Sequence, residues 1–275
     1  MADTFRARLR AATAAHGSLC PGIDPSSRVL RQWGLEDSAR GATEFAIGCI
    51  EAFAGLVAAV KPNVAFFEQY GSAGIAGLES VLAAASGAGL LTLADAKRGD
   101  IGSTNEAYAR AWLDPESPLA VDSLTVSPYL GAAALAPFID LAEQHGRGVF
   151  IVMRSSNPEG RAVQLSRTVD GRTLEAALLD ELAARPEVVG AVIGLMTGQA
   201  PLALPEASFY LAPGLFTQGA GLDDLGTQFG SMTSAPVLVN LSRSFAAAGP
   251  NKGALRSEAV RIQDEIAARL CPASP

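Results

Sequence analysis

The chain of 275 residues is long enough for one large α/β domain, and with hydrophobic residues at 49% it can bury a substantial core. A formal charge of −7 and an aromatic content of 6% speak against a nucleic-acid surface, which needs a basic patch. Cys20, Cys49 and Cys271 are widely spaced and include no Cys-x-x-Cys pair, so they offer neither a disulfide framework nor a structural zinc site and read as reduced thiols of a cytoplasmic protein.

The first ten residues mix acidic, basic and apolar side chains at helical spacing, without the apolar core of a secretory signal. They predict a helix over Thr4–His16 capped by Gly17. Leu19–Ile23 then reads as a short buried strand ending in Asp24, followed by a helix with Phe45, Cys49 and Phe53 on one stripe. Leu56–Val60 ends in Lys61. After a helix from Gly71, Leu90–Ala94 ends in Asp95. Val121–Val126 ends in Ser127, and Gly148–Met153 ends in Arg154. A helix carrying Leu174, Leu178 and Leu182 leads to Val188–Ile193. Phe209–Ala212 runs into Pro213-Gly214, Pro236–Val239 runs into Asn240-Leu-Ser-Arg243, and a last helix shows Leu255, Ala259, Ile262, Ile266 and Leu270 on one face. The longest largely uncharged stretch, 188–205, is broken by Gly198-Gln-Ala-Pro201 and is a strand with a loop, not a membrane span.

Eight short apolar runs, most separated by amphipathic segments, predict an α/β fold, a (β/α)8 TIM barrel in one domain over 1–275, with a helix before the first strand. A doubly wound open sheet is the structural alternative, but no Gly-x-Gly-x-x-Gly follows the first strand. In a barrel the carboxyl ends of all strands meet at one mouth, so Asp24, Lys61, Asp95, Lys97 and Ser127 are expected in one pocket. The stretch Leu93-Ala-Asp-Ala-Lys-Arg-Gly-Asp-Ile-Gly-Ser-Thr104 carries the densest charge. Residues two apart on a strand share a face, so Asp95 and Lys97 project together; Gly99 then lets the backbone turn and aims Asp100 elsewhere. Alternation of Lys61, Asp95, Lys97 and Asp100 gives each ammonium a partner. Pro213–Gly221, glycine-rich before a helix, and Ser242-Arg243 after the last strand together predict an anion site. The two histidines, His16 and His145, each precede a glycine at a helix end and read as caps, which leaves no material for a Ser-His-Asp arrangement or a multi-histidine metal site.

These residues resemble the orotidine 5′-phosphate decarboxylase family over most of the chain. The family pattern Asp-x-Lys-x-x-Asp, then Ile and Thr, stands here as Asp95, Lys97, Asp100, Ile101 and Thr104, and the strand-two lysine as Lys61. Lys61-Pro-Asn-Val-Ala-Phe-Phe-Glu68, Ser155-Ser-Asn-Pro158 and Asn240-Leu-Ser-Arg243 are similar to the longer-chain bacterial branch. The resemblance implies conversion of orotidine 5′-monophosphate to uridine 5′-monophosphate and carbon dioxide, with no metal or organic cofactor. It implies that Lys97 stabilises and protonates the C6 carbanion, that Asp95 lies beside the departing carboxylate, and that Lys61 and Asp100 hold the charge array and the ribose. Asp24 then corresponds to a ribose ligand, Ser127 to a pyrimidine contact, and Gln218 and Arg243 to phosphate contacts. It further implies a homodimer in which Asp100 and Thr104 reach into the neighbour's site. Two rivals stand beside this reading: a metal-dependent sugar-phosphate decarboxylase or aldolase, which shares the charged hexapeptide but typically carries a glutamate where Lys61 stands, and a non-catalytic barrel that binds a phosphorylated ligand.

Overall fold

The computed structural model describes residues 3–197, 200–216 and 219–270, apart from the side chains of 181 and 182. Leu182, the third leucine of its predicted stripe, therefore lies outside the described side chains. Eight parallel strands close on themselves in sequence order: β1 (Leu19–Ile23), β2 (Ala59–Pro62), β3 (Leu91–Arg98), β4 (Ser123–Val126), β5 (Gly148–Arg154), β6 (Val189–Ile193), β7 (Tyr210–Pro213) and β8 (Val237–Leu241). The seam is the pairing of Leu19 with Val239 and Pro21 with Leu241. The barrel is thus the expected fold, with no open sheet edge.

The helices are α1 (Phe5–His16), α2 (Ala39–Phe53), α3 (Gly71–Gly87), α4 (Gly102–Leu113), α5 (Ala136–Gln144), α6 (Leu174–Ala184), α7 (Leu222–Phe229) and α8 (Lys252–Leu270), with shorter turns between them. The predicted stripes are the buried ones: Phe45, Cys49 and Phe53 on α2, and Leu255, Ala259, Ile262 and Ile266 on α8. The β6–β7 connection, 194–209, has no helix among its described residues, because Pro201 and Pro205 lack the N–H a helix needs. The Gln228 side chain of α7 stands in, bonding both the N–H and the carbonyl of Leu202 at 3.0 Å.

Strand boundaries shift from expectation where a turn outcompetes an apolar run. Leu56 belongs to the turn after α2, its N–H bonded to the Phe53 carbonyl at 2.9 Å beside Gly55 at φ 72°, so β2 starts at Ala59 and Lys61 lies within it. Likewise β3 continues through Asp95 and Lys97 to Arg98, and β8 includes Asn240.

The inside of the barrel is a separate apolar cluster containing Phe5, Leu9, Leu93, Phe150, Phe209 and Leu238. Phe5 of α1 enters from below and meets Phe150 and Phe209 edge to face, with ring centres 6.1 and 5.1 Å apart. Gly148 admits that ring, since a Cβ there would lie 2.2 Å from it. An Arg8–Asp122 ion pair at 2.6 Å ties α1 to the floor, and Asp122 also accepts from the Thr92 N–H and hydroxyl at 2.9 and 3.0 Å. Both histidines sit at this floor end: His16 is the last residue of α1, whose C-cap is Gly17, and His145 is the C-cap of α5 through its backbone N–H. The opposite, carboxyl end of the strands is left open.

Candidate active site

Asp95 is the centre of that open end. Its Oδ2 accepts from Lys61 Nζ at 2.6 Å and its Oδ1 from Lys97 Nζ at 2.5 Å. Lys61 is buried, 4% exposed, whereas the Lys97 side chain is 56% exposed and reaches into the mouth. Burial by itself pushes the Asp95 carboxyl up, but the two ammonium groups prevail and hold it well below the usual carboxylate range. Burial equally favours loss of the Lys61 proton; Asp95 and Asp24 overcome it, so the Lys61 pKa is raised. Asp95 and Lys61 are therefore both charged throughout the neutral range.

Expectation and structure agree that Asp95 and Lys97 project together, although not by plain strand alternation. Lys97 has φ 47°, in the left-handed region that costs an L-residue about 1–2 kcal/mol. Here the β3–β4 ladder shifts: Ala94 faces Leu124 and Arg98 faces Val126, four steps on one strand against two on the other. The bulge removes the Lys97 N–H from the ladder, and the buried Thr125 hydroxyl accepts it at 3.0 Å. The same hydroxyl donates to Asp95 Oδ1 at 3.1 Å. Thr125 was not among the predicted residues; the available signal was a hydroxyl inside the apolar run Ser123–Val126.

Asp24, just past β1, is half-buried, and its Oδ1 is shielded from solvent with no hydrogen-bond partner among the described residues. Such an orphaned acceptor beside an ammonium suits a ligand hydroxyl. Asp24 also lines a cleft with Gly214, Asn240, Ser242 and Arg243. Gly22 brings Ser242 close, since a Cβ there would lie 2.2 Å from Ser242 Oγ. Asn240 fixes the end of β8 by donating to the Cys20 carbonyl at 2.9 Å. Arg243 opens the short helix Arg243–Ala248 on this cleft. Gln218, the other expected phosphate contact, lies outside the described residues.

Ser127 follows β4 at the mouth, half-buried, its N–H bonded to the Arg98 carbonyl at 2.8 Å. Gly99 is required here by space and not by backbone freedom: a Cβ would stand 2.6 Å from the Ser127 carbonyl oxygen. Asp100, the fourth charge of the expected alternation, makes no ion pair among the described residues. Its Oδ1 accepts from the Ile101 N–H, and its own N–H is held by buried Asn105 at 2.8 Å. Asn105 also donates to the Asp100 and Ala134 carbonyls at 2.5 and 2.7 Å, joining the loops after β3 and β4. Thr104, on the first turn of α4, is exposed. Arg154 ends β5 but turns inward, paired with Glu175 of α6 at 2.9 Å and donating to the Ala200 carbonyl at 3.1 Å.

A buried lysine and an exposed lysine thus share one aspartate at the barrel mouth. Residues 17–257 match the model of the orotidine 5′-phosphate decarboxylase / HUMPS family. The chain belongs to this family. Among its relatives, an orotidine 5′-phosphate decarboxylase of Salinispora tropica is 49% identical over 98% of this chain and 99% of its own length. The enzyme of that name from Corynebacterium efficiens is 44% identical over 93% and 94%. A crystal structure from Streptomyces avermitilis assigned to the same decarboxylase superposes with a TM-score of 0.93 at 43% identity, covering 98% of this chain and 96% of that one.

Proposed function

We propose that this chain converts orotidine 5′-monophosphate to uridine 5′-monophosphate and carbon dioxide in pyrimidine synthesis, and that Lys97 is its proton donor. The observation that carries the reading is the Asp95 carboxylate held between Lys61 at 2.6 Å and Lys97 at 2.5 Å. Breaking the C6–carboxylate bond leaves an electron pair in the ring plane, out of reach of the pyrimidine π system. A fixed ammonium at that carbon stabilises the pair as it forms and then transfers its proton to C6. Lys97 has the needed charge and exposure; once neutral, its amine regains a proton from solvent. Asp95 keeps Lys97 aimed and, being ionised, repels the substrate carboxylate until that group departs as neutral carbon dioxide.

Lys61 separates this reading from the sugar-phosphate branch of the family. Its ammonium neutralises Asp95 and Asp24 from within the protein, the task a divalent cation would perform if a carboxylate stood at this position. Asp24 binds the ribose through its unpartnered oxygen, Ser127 contacts the pyrimidine, and Arg243 with Gln218 takes the phosphate. The dimer belongs to the same proposal. Asp100 makes no ion pair with its own array among the described residues, Thr104 is exposed, and Ile101, Tyr129 and Leu130 on the adjoining loops are 61%, 78% and 53% exposed, an apolar rim suited to a second copy. Within the described residues no helix is long and apolar enough to cross a membrane, in keeping with an enzyme acting on a small nucleotide in the cytoplasm.

The test is a spectrophotometric assay of orotidine 5′-monophosphate loss in the presence of a chelator, with both products quantified. Equal yields of nucleotide and carbon dioxide, indifferent to chelator, are expected. Activity lost to chelator and restored by magnesium would move the chain to the sugar-phosphate branch.

A further inference from the structure

The exposure of Lys97 raises the question of what aims it. A side chain 56% exposed gains little from packing, so its position depends on its backbone and on what its ammonium bonds. The backbone has φ 47° and sits in the bulge between Ala94 and Arg98, where the ladder offers its N–H no carbonyl. Thr125 supplies the missing acceptor at 3.0 Å and passes its own hydrogen to Asp95 Oδ1 at 3.1 Å. Asp95 Oδ1 in turn receives Lys97 Nζ at 2.5 Å. The bonds close a ring: Lys97 N–H to Thr125 hydroxyl, Thr125 hydroxyl to Asp95, and Lys97 ammonium to the same oxygen. Ser123, two residues earlier on the same strand, directs its hydroxyl to the Thr92 carbonyl at 3.4 Å; the matching Thr125 contact to the Ala94 carbonyl, at 3.5 Å, is longer than its 3.1 Å bond to Asp95.

We propose that Thr125 is a positioning residue for the decarboxylation, holding the bulged backbone of Lys97 and the carboxylate of Asp95 in one hydrogen-bonded ring so that the lysine ammonium meets C6. The proposal rests on the assignment of Lys97 as proton donor. Thr125 is buried behind Asp95 and Lys97 and acts through them. A threonine suits the place because its hydroxyl accepts and donates at once and it is fully buried, 1% exposed, where water cannot replace it. An apolar residue of the same shape fills the space but leaves the Lys97 N–H unpaired in a strained conformation, and the lysine is then free to leave its aim.

The experiment compares Thr125→Val, Thr125→Ser and Lys97→Ala in the dimeric enzyme, measuring kcat, KM and uridine 5′-monophosphate binding. Thr125→Val should lower kcat by roughly 10- to 100-fold, the scale of one lost positioning contact, and leave KM and product affinity within about threefold. Thr125→Ser should return kcat to within a few-fold of wild type, because the hydroxyl and not the methyl group closes the ring. Should Thr125→Val fail to fold, Thr125→Ala carries the same expectation. Wild-type kcat in the hydroxyl-less variant, equal damage in the valine and serine variants, or a matching loss of product binding would each overturn the proposal. Lys97→Ala tells the two readings apart. If it is inactive while Thr125→Val turns over normally, only the positioning role falls; if it is active, the lysine assignment falls and takes the Thr125 role with it.

Discussion

Lys97 Nζ stands 2.5 Å from Asp95 Oδ1 because Lys97 adopts φ 47° in a strand where its neighbours stay extended. Lys61 meets the other oxygen of the same carboxylate at 2.6 Å from a regular position on the adjoining strand, opposite Gly22. One lysine is buried by the fold, and the other is pushed out of it by a bulge. A shared carboxylate thus has a buried ammonium on one side and a solvent-accessible ammonium on the other.

Asp95→Asn removes the shared anion and leaves the Lys61 ammonium buried beside Asp24 alone. Loss of one partner from a buried pair typically costs about 3–5 kcal/mol, so the variant should be less stable at neutral pH and essentially inactive. The acid response gives a separate signature. Asp95 is held below its unfolded value, so its contribution is complete above about pH 4, where the unfolded carboxyl titrates, and is lost as pH falls through the folded value. Urea unfolding at several acid pH values should show wild type losing stability more steeply than Asp95→Asn; parallel curves would mean that the pairing does not bias Asp95.

For Arg243→Ala the damage should be confined to substrates that carry a phosphate. Removing one charge-assisted contact should lower kcat/KM by about 1.5–3 kcal/mol, or roughly 10- to 150-fold, with partial recovery when guanidinium is added. The corresponding nucleoside should be nearly indifferent to the change. Equal loss with both substrates would make Arg243 a structural residue of the β8 loop.

Much of this site is written locally in the chain. Asp24, Lys61, Asp95 and Ser127 each follow or end an apolar run, and barrel topology alone brings such positions to one mouth. What depends on register is not legible. Nothing in Leu93–Thr104 announces that the ladder slips two residues at Lys97, so Thr125 has no visible reason to matter. Gly99 is easily read as a turn residue, yet its role is to make room for a carbonyl from another strand. The β2 boundary fails for a similar reason, since Leu56-Val-Ala-Ala is apolar whether it extends a strand or, as here, includes the end of a helical turn. Arg154 looks like another polar strand end until its partner Glu175, on the following helix, is in view.

Subunit mixing tests whether the site is shared between two chains as proposed. Lys97→Ala and Asp100→Ala homodimers should each be nearly inactive. In a mixed dimer, residues drawn from opposite chains place both lesions in one site and neither in the other. Activity should return to roughly a quarter of wild type if exchange is random and the sites are independent, as two-fold symmetry requires. No recovery despite exchange of labelled subunits would place Asp100 in its own chain's site.

The central claim is that the exposed ammonium of Lys97 does the chemistry while other groups bind the nucleotide. Single-turnover decarboxylation by Lys97→Ala, measured together with its affinity for uridine 5′-monophosphate, tests it most directly. The expected result is a rate loss of at least ~4 kcal/mol in transition-state stabilisation, about a thousandfold or more, with product affinity largely kept. A rate within tenfold of wild type in that folded, product-binding variant would contradict it.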